Sequence, residues 1–135
     1  MNRIKVTCAI IKMMGKTLVV QRSGCMNLPL KWEFPGGKLE GNESQAGCVK
    51  REIREELNIE IDIEQKLTPI DFDYPDISIQ LIPFVANYKS GNVLLREHKR
   101  FDLLDDTQLE TLDWAEADIP ILKEYLGILQ ERKAP

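Results

Sequence analysis

The stretch that decides the fold runs from Gly36 to Ile59, GGKLEGNESQAGCVKREIREELNI. Two glycines follow Pro35 at its start, and Arg51, Glu52, Glu55 and Glu56 are packed together near its end. Ala46, Val49, Ile53 and Leu57 recur at helical spacing, so the second half predicts a helix with one buried stripe. At about 100° per residue, Glu52, Glu55 and Glu56 then lie within an arc of roughly 100°. Carboxylates crowded in this way repel one another unless something positive sits among them. A divalent cation with hard oxygen ligands, Mg²⁺ or Mn²⁺, meets that need. The other reading of such a cluster is a solvated charged helix face.

The flanks of this helix carry their own signals. Pro35-Gly36-Gly37 leaves the backbone free to approach a ligand closely. Gly41-Asn42 marks the helix start, with Asn42 as N-cap and Gln45 three residues on in capping-box spacing. Asn58 tolerates the left-handed conformation and stops the helix.

Upstream, Ile4, Val6, Cys8 and Ile10 alternate with less apolar residues and predict a strand. Met14-Gly15-Lys16 turns the chain into a returning strand from Thr17 to Arg22. Ser23 to Lys31 is a loop, and Trp32 to Phe34 is extended because the residue before a proline is kept out of the helical region. Downstream, Ile59, Ile61 and Ile63 alternate as a half-buried strand, continuing irregularly through Leu67 and Ile70 to Phe72. A long strand is expected from Ile77 to Tyr88. Pro83 within it has no N–H to donate, which suggests an edge or a bulge. Arg96 to Arg100 is a polar loop, followed by a strand near Phe101 to Leu104. Asp105 caps a short helix through Leu112, and a last helix runs from Ala117 or Asp118 to Glu131, with Pro120 in its first turn. Strands and helices interleave without strict alternation, so a mixed sheet with helices on its faces is the expected α/β architecture.

Composition narrows the function classes. The 135 residues fit a single domain with a real core, and 30% charged against 43% hydrophobic content fits an ordinary globular chain. The net charge of −4 carries no basic block suited to a nucleic-acid polymer. Three cysteines without a CxxC pair, and one histidine, argue against a disulfide framework and against zinc. No signal peptide and no membrane span is visible, which places the expected location in the cytoplasm.

Gly37, Glu43 and the run Arg51-Glu52-Ile53-Arg54-Glu55-Glu56-Leu57-Asn58-Ile59 resemble the Nudix box, G-x5-E-x7-R-E-U-x-E-E-x-G-U, where U is bulky and aliphatic. Asn58 stands where the family usually has glycine. Trp32-Glu33-Phe34-Pro35-Gly36-Gly37-Lys38 is similar to the segment before the box in MutT-type members. Glu97-His98, Trp114 and Ala117-Asp118-Ile119-Pro120 are similar to the C-terminal half of MutT-like (d)NTP pyrophosphohydrolases, especially the branch acting on CTP and related pyrimidine nucleotides. The resemblance implies an α/β/α sandwich with a mixed β-sheet. It also implies hydrolysis of a small nucleotide substrate, a (d)NTP going to (d)NMP and pyrophosphate.

On this reading Glu52 and Glu56, one turn apart, are the first Mg²⁺ ligands, with Glu55 in support and a carbonyl from Gly36 or Gly37. The resemblance gives Arg51 the task of orienting these acids, and a bidentate pair with Glu43 suits it. Glu97 occupies a loop where similar proteins carry a glutamate near the metals, which makes it the candidate general base or an extra ligand. Glu55 or Glu52 is the fallback base, and His98 is a weaker one. Arg22, at a strand end, is placed to reach phosphates, and Phe34 to pack on the nucleobase. Asp118 corresponds to a base-contacting position. MutT carries asparagine there, and a carboxylate suits an exocyclic amino group such as that of cytosine, although helix capping explains an aspartate at this place equally well. The alternatives left open are oxidised-purine (8-oxo-dGTP type) sanitation and a catalytically silent nucleotide-binding domain.

Overall fold

A computed structural model describes residues 3–133. The first hairpin joins β1 (Ile4–Met13) to β2 (Lys16–Gln21). Met14 and Gly15, at φ 55° and 74°, form its two-residue turn. Positive φ at both central positions matches the twist of the strands on either side. Next come β3 (Trp32–Glu33), β4 (Gly36–Lys38) and α1 (Gln45–Leu57). They are followed by β5 (Glu60–Lys66), β6 (Ile70–Asp73), β7 (Ser78–Ser90) and β8 (Arg100–Leu104). Two helices, α2 (Asp106–Leu109) and α3 (Asp118–Lys133), close the chain.

The main path of the sheet is β3-β2-β1-β7-β5, with β4 also on β1, β6 on β7 and β8 on β2. β1 and β7 run parallel and the other named pairs antiparallel, so the sheet is mixed. Period-2 alternation sends side chains to both faces, and both faces are covered. On one, Val49, Ile53 and Leu57 of α1 pack on Ala9, Ile11, Leu18 and Ile82. On the other, Ile121, Leu122 and Tyr125 of α3 share a cluster with Cys8, Ile10, Val19 and Trp114. The result is an α/β/α sandwich.

Four local expectations change. Ser44, not Asn42, is the N-cap of α1, and its hydroxyl accepts from the Gly47 N–H at 3.0 Å. The later start leaves Glu43 in the preceding turn, where its carboxylate accepts from the Glu40 N–H at 2.8 Å and remains free to reach α1. Gly36 and Gly37 form a short strand on β1 instead of a free loop, an approach that a side chain at Gly36 would block. A Cβ on Gly36 would lie 1.9 Å from the Thr7 carbonyl oxygen. Pro83 sits inside the sheet, opposite Cys8 of β1. Its nitrogen faces the break between β5, which ends at the Lys66–Phe84 pair, and β6, which begins at Ile70–Leu81, so its missing N–H costs no ladder bond. Finally, α2 stops at Leu109 and only turns continue to Leu112.

Asn58 ends α1 as expected, at φ 60°, and its N–H donates to the Arg54 carbonyl at 3.0 Å. Its side-chain amide donates to the Asn92 carbonyl at 3.2 Å. Asn58→Ala is expected to cost about 1–2 kcal/mol in a denaturant titration, since alanine has no side-chain relief in this conformation. Asn58→Gly should stay within about 1 kcal/mol of the parent.

Candidate active site

Arg51 sits where α1 passes β4, and its guanidinium holds three acids. Nε and Nη2 grip Glu43 in a bidentate pair at 2.9 and 2.8 Å. Nη1 donates to Glu52 and to Glu55, each at 3.0 Å, and Nη2 also reaches the Lys38 carbonyl at 3.2 Å. A planar fork with fixed donors does this where a lysine ammonium would not. The Arg51 hydrogen bonds, with help from the Glu40 N–H, hold the Glu43 carboxyl down to about 2.

Glu52 is buried and Glu56 half-buried. Burial raises the pKa of both carboxyls. Arg51 opposes the shift at Glu52, whereas Glu97 adds to it at Glu56 through its like charge. Glu56 Oε2 is buried without a hydrogen-bond partner among the described residues. Glycine lets these acids approach the β4 backbone: a Cβ on Gly37 would lie 2.2 Å from the Glu52 carboxylate. The Gly37 carbonyl accepts from Thr7 Oγ1 at 3.2 Å. The Ala9 N–H to Pro35 and Leu39 N–H to Lys5 bonds set the alternation of the β1–β4 ladder. Gly36, opposite Cys8, therefore falls at a non-hydrogen-bonded position, and its carbonyl turns away from β1.

These groups border a cavity of about 880 Å³, in the size range of small-molecule sites. Its walls bring together Arg22, Phe34, Gly36, Gly37, Glu52, Glu56, Glu97 and Asp118. Glu43 and Glu55 do not line it; Glu43 supports Arg51 from behind, and Glu55 is exposed on the outer side of the helix. Phe34 is buried and packs against Trp114, with ring centroids 4.7 Å apart. Arg22 is held at the wall, donating to Glu33 at 3.0 Å and to the Asn27 carbonyl at 2.5 Å.

Asp118, the first residue of α3, does not spend its side chain on capping that helix. Its Oδ2 accepts from the Phe34 N–H at 2.9 Å, 84 residues away in the chain. Burial drives its carboxyl well above the usual range, Glu33 adds to the shift, and the Phe34 N–H opposes it. Sequence reasoning missed Glu33, which lines the same cavity and bonds both Arg22 and His98. Its position beside Trp32 and Phe34 in a short strand was the available signal.

Residues 1–125 match the family model for the NUDIX domain. The chain belongs to the Nudix hydrolase family. It is 31% identical over 134 residues to the CTP pyrophosphohydrolase of Escherichia coli (strain K12), covering 99% of both chains. It is 24% identical over 123 residues to the 8-oxo-dGTP diphosphatase of the same organism, covering 90% of this chain and 95% of the relative. Among solved structures, the E. coli ORF135 protein superposes with a TM-score of 0.84 at 31% identity, covering 100% of this chain and 96% of that one. The MutT protein from Methanosarcina mazei Go1 shares the fold, with a TM-score of 0.83 at 24% identity and 98% and 96% coverage.

Nudix hydrolases generally use divalent metal ions, and the donor set here suits one. The unpartnered Oε2 of Glu56 and the burial that raises the carboxyls of Glu52 and Glu56 mark a place where added positive charge is favourable. Among the described residues no three side chains close into a metal cage. An open set of this kind leaves positions for water and substrate phosphate, as Mg²⁺ prefers.

The strained acids set the pH response of the metal-free Nudix domain. Glu52 and Glu56, raised above 4.5, contribute stability that is lost as pH rises through their folded-state values. Glu43, lowered to about 2, contributes stability present above 4.5 and lost as pH falls toward 2. Metal-free protein should therefore gain thermal stability as pH falls from neutral through the raised values of Glu52 and Glu56, and lose it as pH falls further from 4.5 toward 2. Glu56→Gln should flatten the first limb and raise the midpoint at neutral pH, measured by calorimetry in chelator. An unchanged or lower midpoint for that variant would contradict the charge strain.

Proposed function

We propose that this Nudix hydrolase is a Mg²⁺-dependent nucleoside triphosphate pyrophosphohydrolase that converts CTP, or a related pyrimidine (d)NTP, to the (d)NMP and pyrophosphate. The observation that carries this reading is the buried Asp118 carboxyl group in the same cavity as Glu52 and Glu56. Phe34, which lines the cavity with Trp114 packed behind it, offers an apolar surface to a base. With Oδ2 held by the Phe34 N–H, the Asp118 carboxyl keeps further lone pairs to accept from an exocyclic amino group such as cytosine N4. The similarity to a relative named CTP pyrophosphohydrolase over nearly the whole chain supports the same choice.

In this reading Glu52, Glu56 and the Gly36 carbonyl hold the metal. A bound Mg²⁺ supplies neutralisation of the polyphosphate and a lowered pKa for coordinated water. Arg51, fixed by Glu43, keeps the Glu52 carboxylate in place. Arg22 presents a fixed cation to a phosphate oxygen. Glu97, beside Glu56, takes the proton from the attacking water as the phosphoanhydride opens. One water is consumed, and one nucleotide monophosphate, one pyrophosphate and a proton leave.

A second reading, 8-oxo-dGTP hydrolysis, is favoured by the relatives that carry this activity in their names. A panel of NTPs and dNTPs, assayed for pyrophosphate with and without Mg²⁺, separates the two. CTP or a cytosine dNTP is expected to give the highest kcat/KM, and none without metal. Asp118→Asn should move selectivity toward 8-oxo-dGTP by about tenfold or more, as one base-edge hydrogen-bond pair is worth about 1–3 kcal/mol. An unchanged substrate profile would remove Asp118 from base reading.

A further inference from the structure

Glu97 is an exposed residue in an irregular loop, yet the proposed chemistry needs its carboxylate held near Glu56. The two acids repel, and Glu97 is the main neighbouring charge that raises the Glu56 carboxyl. Left to itself, the Glu97 side chain would move outward to water. The loop backbone is tied on either side of this point. Arg96 N–H donates to the Glu56 carbonyl at 3.3 Å, and Lys99 N–H donates to the Gln21 carbonyl at 2.9 Å. Between these ties, the tip consists of Glu97 and His98.

His98 packs inward where its neighbour Glu97 is exposed. Its side chain is only 5% exposed, and Nε2 lies 2.8 Å from Glu33 Oε2. Glu33 is itself held by Arg22, so the imidazole docks on a carboxylate that β2 and β3 have already fixed. Nδ1 is buried without a partner among the described residues. A buried ring nitrogen left unpaired is a cost that a loop residue could escape by turning outward. It is carried here to make one directed bond.

We propose that His98 is a positioning residue, whose bond to Glu33 fixes the loop tip so that the Glu97 carboxylate stays over the acidic cluster. The inference rests on the assignment of Glu97 to the chemistry. His98 touches neither substrate nor metal in this account. It acts by making the outward swing of Glu97 incompatible with the seated imidazole, so that the entropy of ordering the tip is met before substrate arrives.

A double-mutant cycle with the full chain tests this. His98→Leu fills the space without a donor, and His98→Gln keeps an N–H that reaches Glu33. For the best nucleotide of the panel, His98→Leu is expected to lower kcat about tenfold or more with KM within about threefold. His98→Gln should restore most of the loss. In the Glu97→Gln background, His98→Leu should cost almost nothing further. In chelator, amide hydrogen exchange at residues 97 and 98 should be faster in His98→Leu and near the parent rate in His98→Gln. Should His98→Leu not fold, Glu33→Ala removes the acceptor from the other side and must show the same coupling to Glu97.

If Glu97→Gln turns over like the parent, the assignment of Glu97 falls, and this inference with it. If Glu97→Gln is impaired but the two losses multiply, or exchange at the loop tip is unchanged, His98 merely packs and the inference alone is overturned.

Discussion

The site depends on one guanidinium. Arg51 distributes its donors over Glu43, Glu52, Glu55 and the Lys38 carbonyl, and so fixes the helix against the loop that precedes it. Without it, like charges would drive the acids apart and toward solvent. With it, Glu52 can be buried as a charged group, and Oε2 of Glu56 one turn on has no hydrogen-bond partner among the described residues. The arrangement costs stability in the metal-free protein. In the proposed reading it yields a place suited to a divalent cation before any substrate binds.

The glycines serve the same end. β4 must lie against β1 while α1 passes close above it, and a side chain at Gly36 or Gly37 would block one contact or the other. The sheet then carries the remainder of the site. β2 and β3 hold Arg22 and Glu33, and α3 brings Asp118 back to the Phe34 N–H. The proposed metal end and base end are thus set by different layers of one sandwich, with the cavity between them.

What was legible in the sequence follows from chain distance. The first hairpin, α1 with its apolar stripe and the left-handed Asn58 rest on neighbours within a turn or two, and these expectations held. The acids of α1 and their arginine were visible as a pattern because helical spacing converts sequence into proximity. The N-cap shifted by two residues because Asn42 and Ser44 compete locally, and only the tertiary demand on Glu43 decides between them. Pro83 looked like an edge signal because the sequence does not show that two short strands share β7 with a gap at that point. The Asp118–Phe34 and His98–Glu33 bonds span 84 and 65 residues, and no periodicity announces them.

The central claim is that Glu52 and Glu56, set in place by Arg51, form the cation site. Its most direct test is titration of Mn²⁺ into metal-free protein, followed by paramagnetic resonance of the free ion. The account predicts saturable binding in the parent. It predicts loss of that binding by at least tenfold in the Glu52→Gln/Glu56→Gln double variant, with the fold intact by circular dichroism. Binding of Mn²⁺ by the folded double variant as tightly as by the parent would contradict it.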